Sequence, residues 1–541
     1  MNTPTAAPAG NLYAALRAHF PALDAIAIET ADAPGSAADG AHFAPLHYSF
    51  ADLEHGSARI ANLFADLGLP HGARVLVHAD KSVEAVMLYL AVLRAGLVYV
   101  PLNPAYQASE VEYFIGNAGP ALVVCAPRHF AWVSRLAFAA GARMVLTLGD
   151  DRGGSLLERA AQFGDEFATV ARTGDDLAAI IYTSGTTGRS KGAQLTHGNL
   201  RANAEVLHDF WQWREGAASG ERAGRDVLVH ALPIFHVHGL FVALHGALRA
   251  GARMLWFHRF DPLATIARLP EASVFMGVPT LYVRMLAQAA LTRAACGTMR
   301  LFVSGSAPLL ADTFEAWRER TGHTILERYG MSETVMLTSN PYRPESGRRP
   351  GTVGRALPGV GLRVRGERGE AMGDGEIGGV EVRGPSVFAG YWRMPEKTRE
   401  EFTPDGWFRT GDVGALDAQG VLTLVGRSKD LVISGGFNVY PAEIEGRINE
   451  LPGVAESAVV GVPHPDFGEA VVAVVVPRPG AVLDPQEIAR ALKSTIAGFK
   501  VPKHVRIVDA LPRNAMGKVQ KKLLREELGG LFAGEGVGSS T

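Results

Sequence analysis

Residues Tyr182–Gly192 read YTSGTTGRSKG, in which an apolar run gives way to hydroxyls and glycines and closes on one lysine. Gly185 and Gly188 let the backbone turn sharply enough for its amides to face an anion. Thr183, Ser184, Thr186 and Thr187 add hydroxyl donors, and Lys191 adds a charge. Such a set suits the oxygens of a polyphosphate. It is not a Walker A loop, because Lys191 is followed by Gly192 and not by Ser or Thr. The bland alternative is a polar surface loop, which the density of donors after a buried strand disfavours.

Further short motifs follow in order. Ser304–Leu309 reads SGSAPL, Glu327–Thr334 reads ERYGMSET, Thr410–Asp412 reads TGD, and Pro512–Lys518 reads PRNAMGK. Each is individually weak. Asp412 alone would read as a turn-capping residue, and Lys518 as one more solvated cation beside Lys521, Lys522 and Arg525.

Together with the hydroxyl-rich loop, these motifs resemble those of the adenylate-forming superfamily of acyl-CoA synthetases, peptide-synthetase adenylation domains and luciferases. The resemblance spans nearly the whole chain. It implies ATP and coenzyme A as co-substrates, Mg²⁺ as cofactor, and an acyl-adenylate intermediate. It places the Thr183–Gly188 loop and Lys191 on the phosphates, and Ser306, Tyr329, Gly330, Met331 and Ser332 around the adenine. Glu333, with Thr183 nearby, would hold Mg²⁺, and Asp412 and Arg427 would contact the ribose. A carboxylate attacks a negatively charged α-phosphate poorly, so positive charge and alignment must be supplied. Lys518 would bridge the two groups. Lys429 matches the family's hinge, and Gly435 and Gly436 match the loop lining the pantetheine tunnel.

Two positions point to the acid. Arg328 stands before Tyr329–Gly330, where most relatives carry a small residue lining the acyl pocket. An arginine there shortens the pocket and places a permanent cation in it. A buried cation needs a partner. Either an internal acid such as Glu327 supplies one, or the substrate does through a second carboxylate. In PIFHVHGL (Pro233–Leu240), His236 matches a pocket-wall histidine able to donate to that carboxylate, whereas His238 reads as a satisfied wall residue. Arg300 is a rival anion binder, ranked lower. A small dicarboxylic acid follows, malonate first and methylmalonate as alternative, and the motif set resembles malonate–CoA ligases. The runner-up is a short- or medium-chain fatty acid–CoA ligase. An inactive nucleotide- or acyl-CoA-binding sensor is disfavoured, because Lys191, Glu333, Asp412 and Lys518 are all present. Ser190, where proline is usual, has no mechanistic reading.

Strands and helices must carry these residues. Apolar runs at 74–78, 121–125, 144–147, 177–182, 226–232, 273–276 and 301–303 read as buried strands, and 81–96 as an amphipathic helix stopped by Gly96. Alternation of this kind predicts α/β layers with ligands at the carboxyl ends of the strands. A glycine-rich β subdomain, barrel-like, is expected over 353–427, closing a large N-terminal domain of 1–427. A small mobile α+β domain is expected over 428–541. The 541 residues are 47% hydrophobic with a net charge of −2, which offers no polyanion-binding signal, so nucleic acid is excluded as a partner. Cys125 and Cys296 read as inert buried thiols. With no spanning segment or leader evident, no membrane insertion and a cytoplasmic location are expected, and a homodimer is a candidate assembly.

Overall fold

The computed structural model describes residues 10–32, 44–183, 190–215, 224–434, 437–514 and 518–533. The chain packs as two units, one of 1–350, 354–361 and 383–406, the other of 351–353, 362–382 and 407–541. The strands that carry candidate site residues are, in chain order, β1 (Arg74–His78), β2 (Leu177–Thr183), β3 (Lys191–Thr196), β4 (Val227–His230), β5 (Leu301–Ser304), β6 (Ile325–Tyr329), β7 (Phe408–Leu416) and β8 (Leu422–Arg427).

The first unit holds two large sheets. In a seven-stranded sheet, β1 and β2 flank Val98–Pro101 and run parallel to it, while β3 pairs antiparallel with β2. In a nine-stranded sheet, β4, Val274–Gly277, β5 and β6 are successive parallel neighbours. Parallel strands covered on both faces need continuous apolar runs. That is why VLV, FMG and LFV segments are fully buried. The helix α1 (Val83–Arg94) starts where Ser82 caps it, the Ala85 N–H donating to the Ser82 hydroxyl at 3.1 Å. It ends at Gly96, whose φ of +67° favours glycine. Every predicted strand of the first unit forms within two residues of its expected bounds.

In the second unit, β7 and β8 belong to an antiparallel four-stranded sheet with Gly361–Arg365 and Gly378–Arg383. A separate five-stranded sheet is built on the long hairpin of Val454–His464 and Gly468–Pro477. Helices Pro441–Asn449 and Pro485–Lys493 supply Ile444, Ile448, Ile488 and Leu492 to one apolar cluster with that sheet. Both cysteines are buried and free, and burial pushes their thiols up to about 12 (Cys125) and about 11 (Cys296). They are inert as expected. Among the described residues no helix is long and apolar enough to cross a membrane.

Candidate active site

Thr183 and Lys191 are cross-strand partners at the open end of the β2–β3 ladder. The Thr183 hydroxyl donates to the Lys191 carbonyl at 3.4 Å. Lys191 Nζ lies 4.3 Å from the centre of the Tyr391 ring and 3.6 Å from Glu401 Oε1. The Tyr391 hydroxyl donates to Oε1 of buried Glu333 at 3.0 Å. Tyr391 therefore ties the candidate phosphate lysine to the candidate Mg²⁺ carboxylate. It was missed in the sequence, where only an unremarked aromatic pair, Tyr391–Trp392, marks it. Ser184, Gly185, Thr186, Thr187 and Gly188 lie outside the described residues.

Tyr329 ends β6, and its carbonyl accepts from the Leu337 N–H at 2.9 Å. Gly330 is required by close approach, since a Cβ there would fall 1.8 Å from the Val335 carbonyl oxygen. The chain then turns through Met331 and Ser332, with the Met331 N–H donating to the Thr334 hydroxyl at 3.3 Å. Ser306 holds a φ of +72°, an uncommon conformation for a non-glycine residue, and its hydroxyl lies 3.4 Å from His238 Nδ1.

Arg328, within β6, is 3% exposed, and its Nε and Nη2 have no partner among the described residues. Its guanidinium lies against Gly305, where a Cβ would fall 2.2 Å from Nη1. Burial drives its pKa down to about 9, with Tyr282 opposing. No ion pair with Glu327 forms, and the side chain is not turned outward. His238 opens a π-helical turn, His238–Leu244, a feature often found at functional sites. Its Nε2 is buried with no partner among the described residues, which corrects the expectation of a satisfied wall histidine. Among the described residues the ring's one hydrogen-bond partner is Ser306, at Nδ1. Burial and then the Arg328 cation push its pKa well down, so the ring is neutral. Removal from water likewise lowers His236, to about 4. Arg300, the rival, is engaged: Nε and Nη2 reach the two Asp226 oxygens at 2.8 and 2.5 Å, and Nη1 donates to the Trp211 carbonyl at 3.0 Å.

In the second unit, Asp412 and Arg427 are cross-strand partners of β7 and β8, with Arg427 Nε 2.8 Å from Asp412 Oδ1. The Asp412 N–H donates to the Thr410 hydroxyl at 3.0 Å. Lys429 lies in a 3-10 turn directly after β8. Burial and then the neighbouring Arg427 lower its pKa to about 8; Lys518 adds to this and Asp430 opposes. The Lys518 N–H donates to Asn514 Oδ1 at 3.0 Å. Loss of water and then Arg427 hold the Lys518 pKa down, against Asp412 and Asp430. Arg427, Lys429 and Lys518 thus gather near Asp412 and Asp430, and Asp430 also pairs with Arg525 at 2.8 Å. An excess of cations of this kind suits the ribose and phosphate of a nucleotide. Gly435 and Gly436 lie outside the described residues.

The first unit joins a strand-end hydroxyl and lysine to a buried carboxylate. The second pairs TGD aspartate with arginine beside two lysines. These are features of adenylate-forming enzymes. The chain belongs to the AMP-binding enzyme family, which matches residues 31–392, with the family's C-terminal domain matching 443–518. It is 34% identical over 528 residues to the malonate–CoA ligase of Arabidopsis thaliana, covering 89% of this chain and 84% of that one. It is 35% identical over 484 residues to the feruloyl-CoA synthase of an Amycolatopsis species, covering 89% and 94%. The crystal structure of ATP-bound MatB from Rhodopseudomonas palustris superposes with a TM-score of 0.90 at 50% identity, over 97% of this chain and 99% of that one. The protein is an AMP-forming acid–CoA ligase, using ATP to make an acyl-adenylate and coenzyme A to accept the acyl group.

Proposed function

We propose that the acid is malonate and the product malonyl-CoA. The observation that carries this is Arg328, a buried cation with two donor atoms unengaged among the described residues. A permanent charge held this way is costly unless a ligand supplies the counter-charge. A carboxylate matches a guanidinium fork in shape and sign. Malonate is the smallest acid that can offer one carboxylate to Arg328 while the other reacts. His236 is assigned beside Arg328 as a neutral donor to the second carboxylate. Malonate–CoA ligases among the relatives support this reading, while the feruloyl-CoA synthase shows that names at this identity do not select one acid.

The roles follow from the residue chemistry. Lys191, Thr183 and the 184–188 hydroxyls and amides neutralise and hold the triphosphate. Ser306, Tyr329, Gly330, Met331 and Ser332 hold the adenine, and Asp412 with Arg427 the ribose. A buried carboxylate with a hydroxyl matches the one or two protein ligands that Mg²⁺ takes alongside phosphates and waters, so Glu333 and Thr183 would hold it. When bound, Mg²⁺ supplies charge neutralisation on the phosphates. Lys518 aligns the reacting carboxylate with the α-phosphate. The carboxylate oxygen forms its bond to α-phosphorus, and the bond to pyrophosphate breaks. In the second half-reaction the CoA thiolate attacks the acyl carbonyl and AMP leaves. Lys429 is assigned as hinge, and Gly435 and Gly436 as the path of the thiol.

The test is CoA- and Mg²⁺-dependent AMP release with malonate, methylmalonate, acetate, butyrate and octanoate, for wild type and Arg328→Ala. Malonate should be preferred, and the substitution should abolish the preference. A monocarboxylate preference that Arg328→Ala leaves intact would show the arginine to be structural and the substrate wrongly assigned.

A further inference from the structure

Lys81 lies in the loop between β1, a strand of the seven-stranded sheet, and Ser82, the cap of α1. Its ammonium reaches β4 of the other sheet. Nζ is 2.8 Å from the His230 carbonyl oxygen and 3.0 Å from His230 Nδ1. It also lies 4.2 Å from the centre of the Trp256 ring, on which the His230 ring stacks at 4.5 Å. Among the described residues the one acidic influence on it is Asp32, which itself pairs with His258. A lysine held by a histidine and an indole face, without an ion pair, is not a stabilising salt bridge.

The donor–acceptor logic says what it does. Burial drives the Lys81 pKa well down, yet Nζ can donate as ammonium or as amine. The Gly239 carbonyl can only accept, so the His230 nitrogen facing it carries the ring proton and Nδ1 keeps a lone pair for Nζ. The His230 proton is then on Nε2, which donates to the Gly239 carbonyl at 3.0 Å. Gly239 is the second residue of the π-helical turn opened by His238. That turn is pressed close to its surroundings, since a Cβ on Gly239 would fall 2.1 Å from the Pro233 carbonyl oxygen. His238, one residue earlier, reaches Ser306 and feels the charge of Arg328. A contact made by Lys81 is thus passed through one imidazole to the backbone that sets His238.

We propose that Lys81 is a positioning residue for the acid pocket: it fixes the His230 tautomer, and through the Gly239 carbonyl holds the turn that places His238 beside Arg328. This rests on the reading that Arg328 and its neighbours receive the acid.

Lys81→Met keeps the stem and removes the donors, and Lys81→Arg keeps a donor. Misplacing a pocket wall by a fraction of an ångström should raise KM for the preferred acid by about tenfold. The kcat/KM ratio of malonate to butyrate should fall, with KM for ATP and CoA unmoved, and Lys81→Arg should recover part of the loss. In ¹⁵N-histidine spectra of the wild type, His230 should show a bare Nδ1 and a protonated Nε2, and Lys81→Met should lose that signature. A wild-type His230 protonated on Nδ1 overturns the proposal even if the variants do not fold. An unchanged acid KM, or equal rises for acid and ATP, does the same. Should the wild type prefer a monocarboxylate, the malonate reading falls, and Lys81 is judged on the KM of that acid and on the ring spectrum.

Discussion

Arg300 stands just before β5 and Arg328 lies within the neighbouring β6; both are buried, yet their surroundings differ. Arg300 immediately precedes β5, at the amino end of the sheet. It meets Asp226 through two hydrogen bonds, and Asp226 also accepts from the Ser273 hydroxyl and the Arg214 N–H at 2.7 Å each. Burial alone would lower the Arg300 pKa, but the carboxylate more than offsets it and the net shift is upward. Arg328, near the carboxyl end of β6, meets no such acid among the described residues, and burial takes its pKa down to about 9. The same side chain is structural at one end of the strands and unsatisfied at the other, the end where ligands bind in parallel sheets. An arginine in an apolar motif therefore cannot be read alone; what it touches decides its role.

Breaking this comparison gives the largest expected effect. Asp226→Ala leaves Arg300 buried and unpaired, and should cost about 3–5 kcal/mol of stability. Urea unfolding of the variant would measure it, and the acid preference of the surviving folded fraction should be unchanged. Arg328→Met removes a buried cation whose Nε and Nη2 have no partner among the described residues. Its stability should be equal to or above wild type, while turnover of malonate collapses. A large stability loss in Arg328→Met would mean that the arginine is held by the protein after all.

A smaller effect sharpens the contrast through pH. Burial lowers His78, His197 and His236 to about 4 and His245 to about 3. Each resists protonation when folded and takes up a proton near its ordinary value of about 6.5 when unfolded. The unfolded chain then binds more protons, so stability is lost as pH falls from about 6.5 toward 4 and regained on return. His236→Asn should remove one proton from that linkage, flattening the slope by less than about 1.4 kcal/mol per pH unit. Denaturant midpoints at stepped pH would show it. A slope identical to wild type would place His236 in water.

Local signals were legible and long-range partners were not. The hydroxyl-rich run after an apolar strand and the helix stopped by Gly96 are visible because spacing and residue type specify them within a few residues, whereas Asp412 and Arg427 are marked only by the family resemblance. The unusual Arg328 was visible against the motif around it. Its lack of a partner was not, because Glu327 is adjacent in sequence but projects elsewhere: alternate residues of a strand face opposite sides. Asp226 and Arg300 are 74 residues apart, Lys81 and His230 are 149 apart, and Glu333 and Tyr391 are 58 apart. No periodicity links such pairs; only the sheet order brings them together. His238 read as a satisfied histidine for the same reason, since its missing second partner is a fact of packing.

Gly305, the second residue of SGSAPL, offers the finest test of what separates the two arginines. Glycine in that motif looks at first like turn chemistry. Yet Gly305 is not among the residues with positive φ, whereas its neighbour Ser306 is. The reason for glycine is the guanidinium: a Cβ would fall 2.2 Å from Arg328 Nη1, 2.4 Å from Cζ and 2.8 Å from Nε. Gly305→Ala should therefore leave the backbone unstrained and push the guanidinium aside by part of an ångström. Overpacking of this kind starts at about 1 kcal/mol. If the displaced group is the one that binds the second carboxylate, the loss falls on malonate, about fivefold in kcat/KM, with butyrate turnover nearly unchanged. Arg300 makes no contact with this glycine and should keep its pairing, so the thermal midpoint should move little. An equal loss for both acids would mean that Gly305 serves the nucleotide loop, and that the space over Arg328 is not tuned to a dicarboxylate.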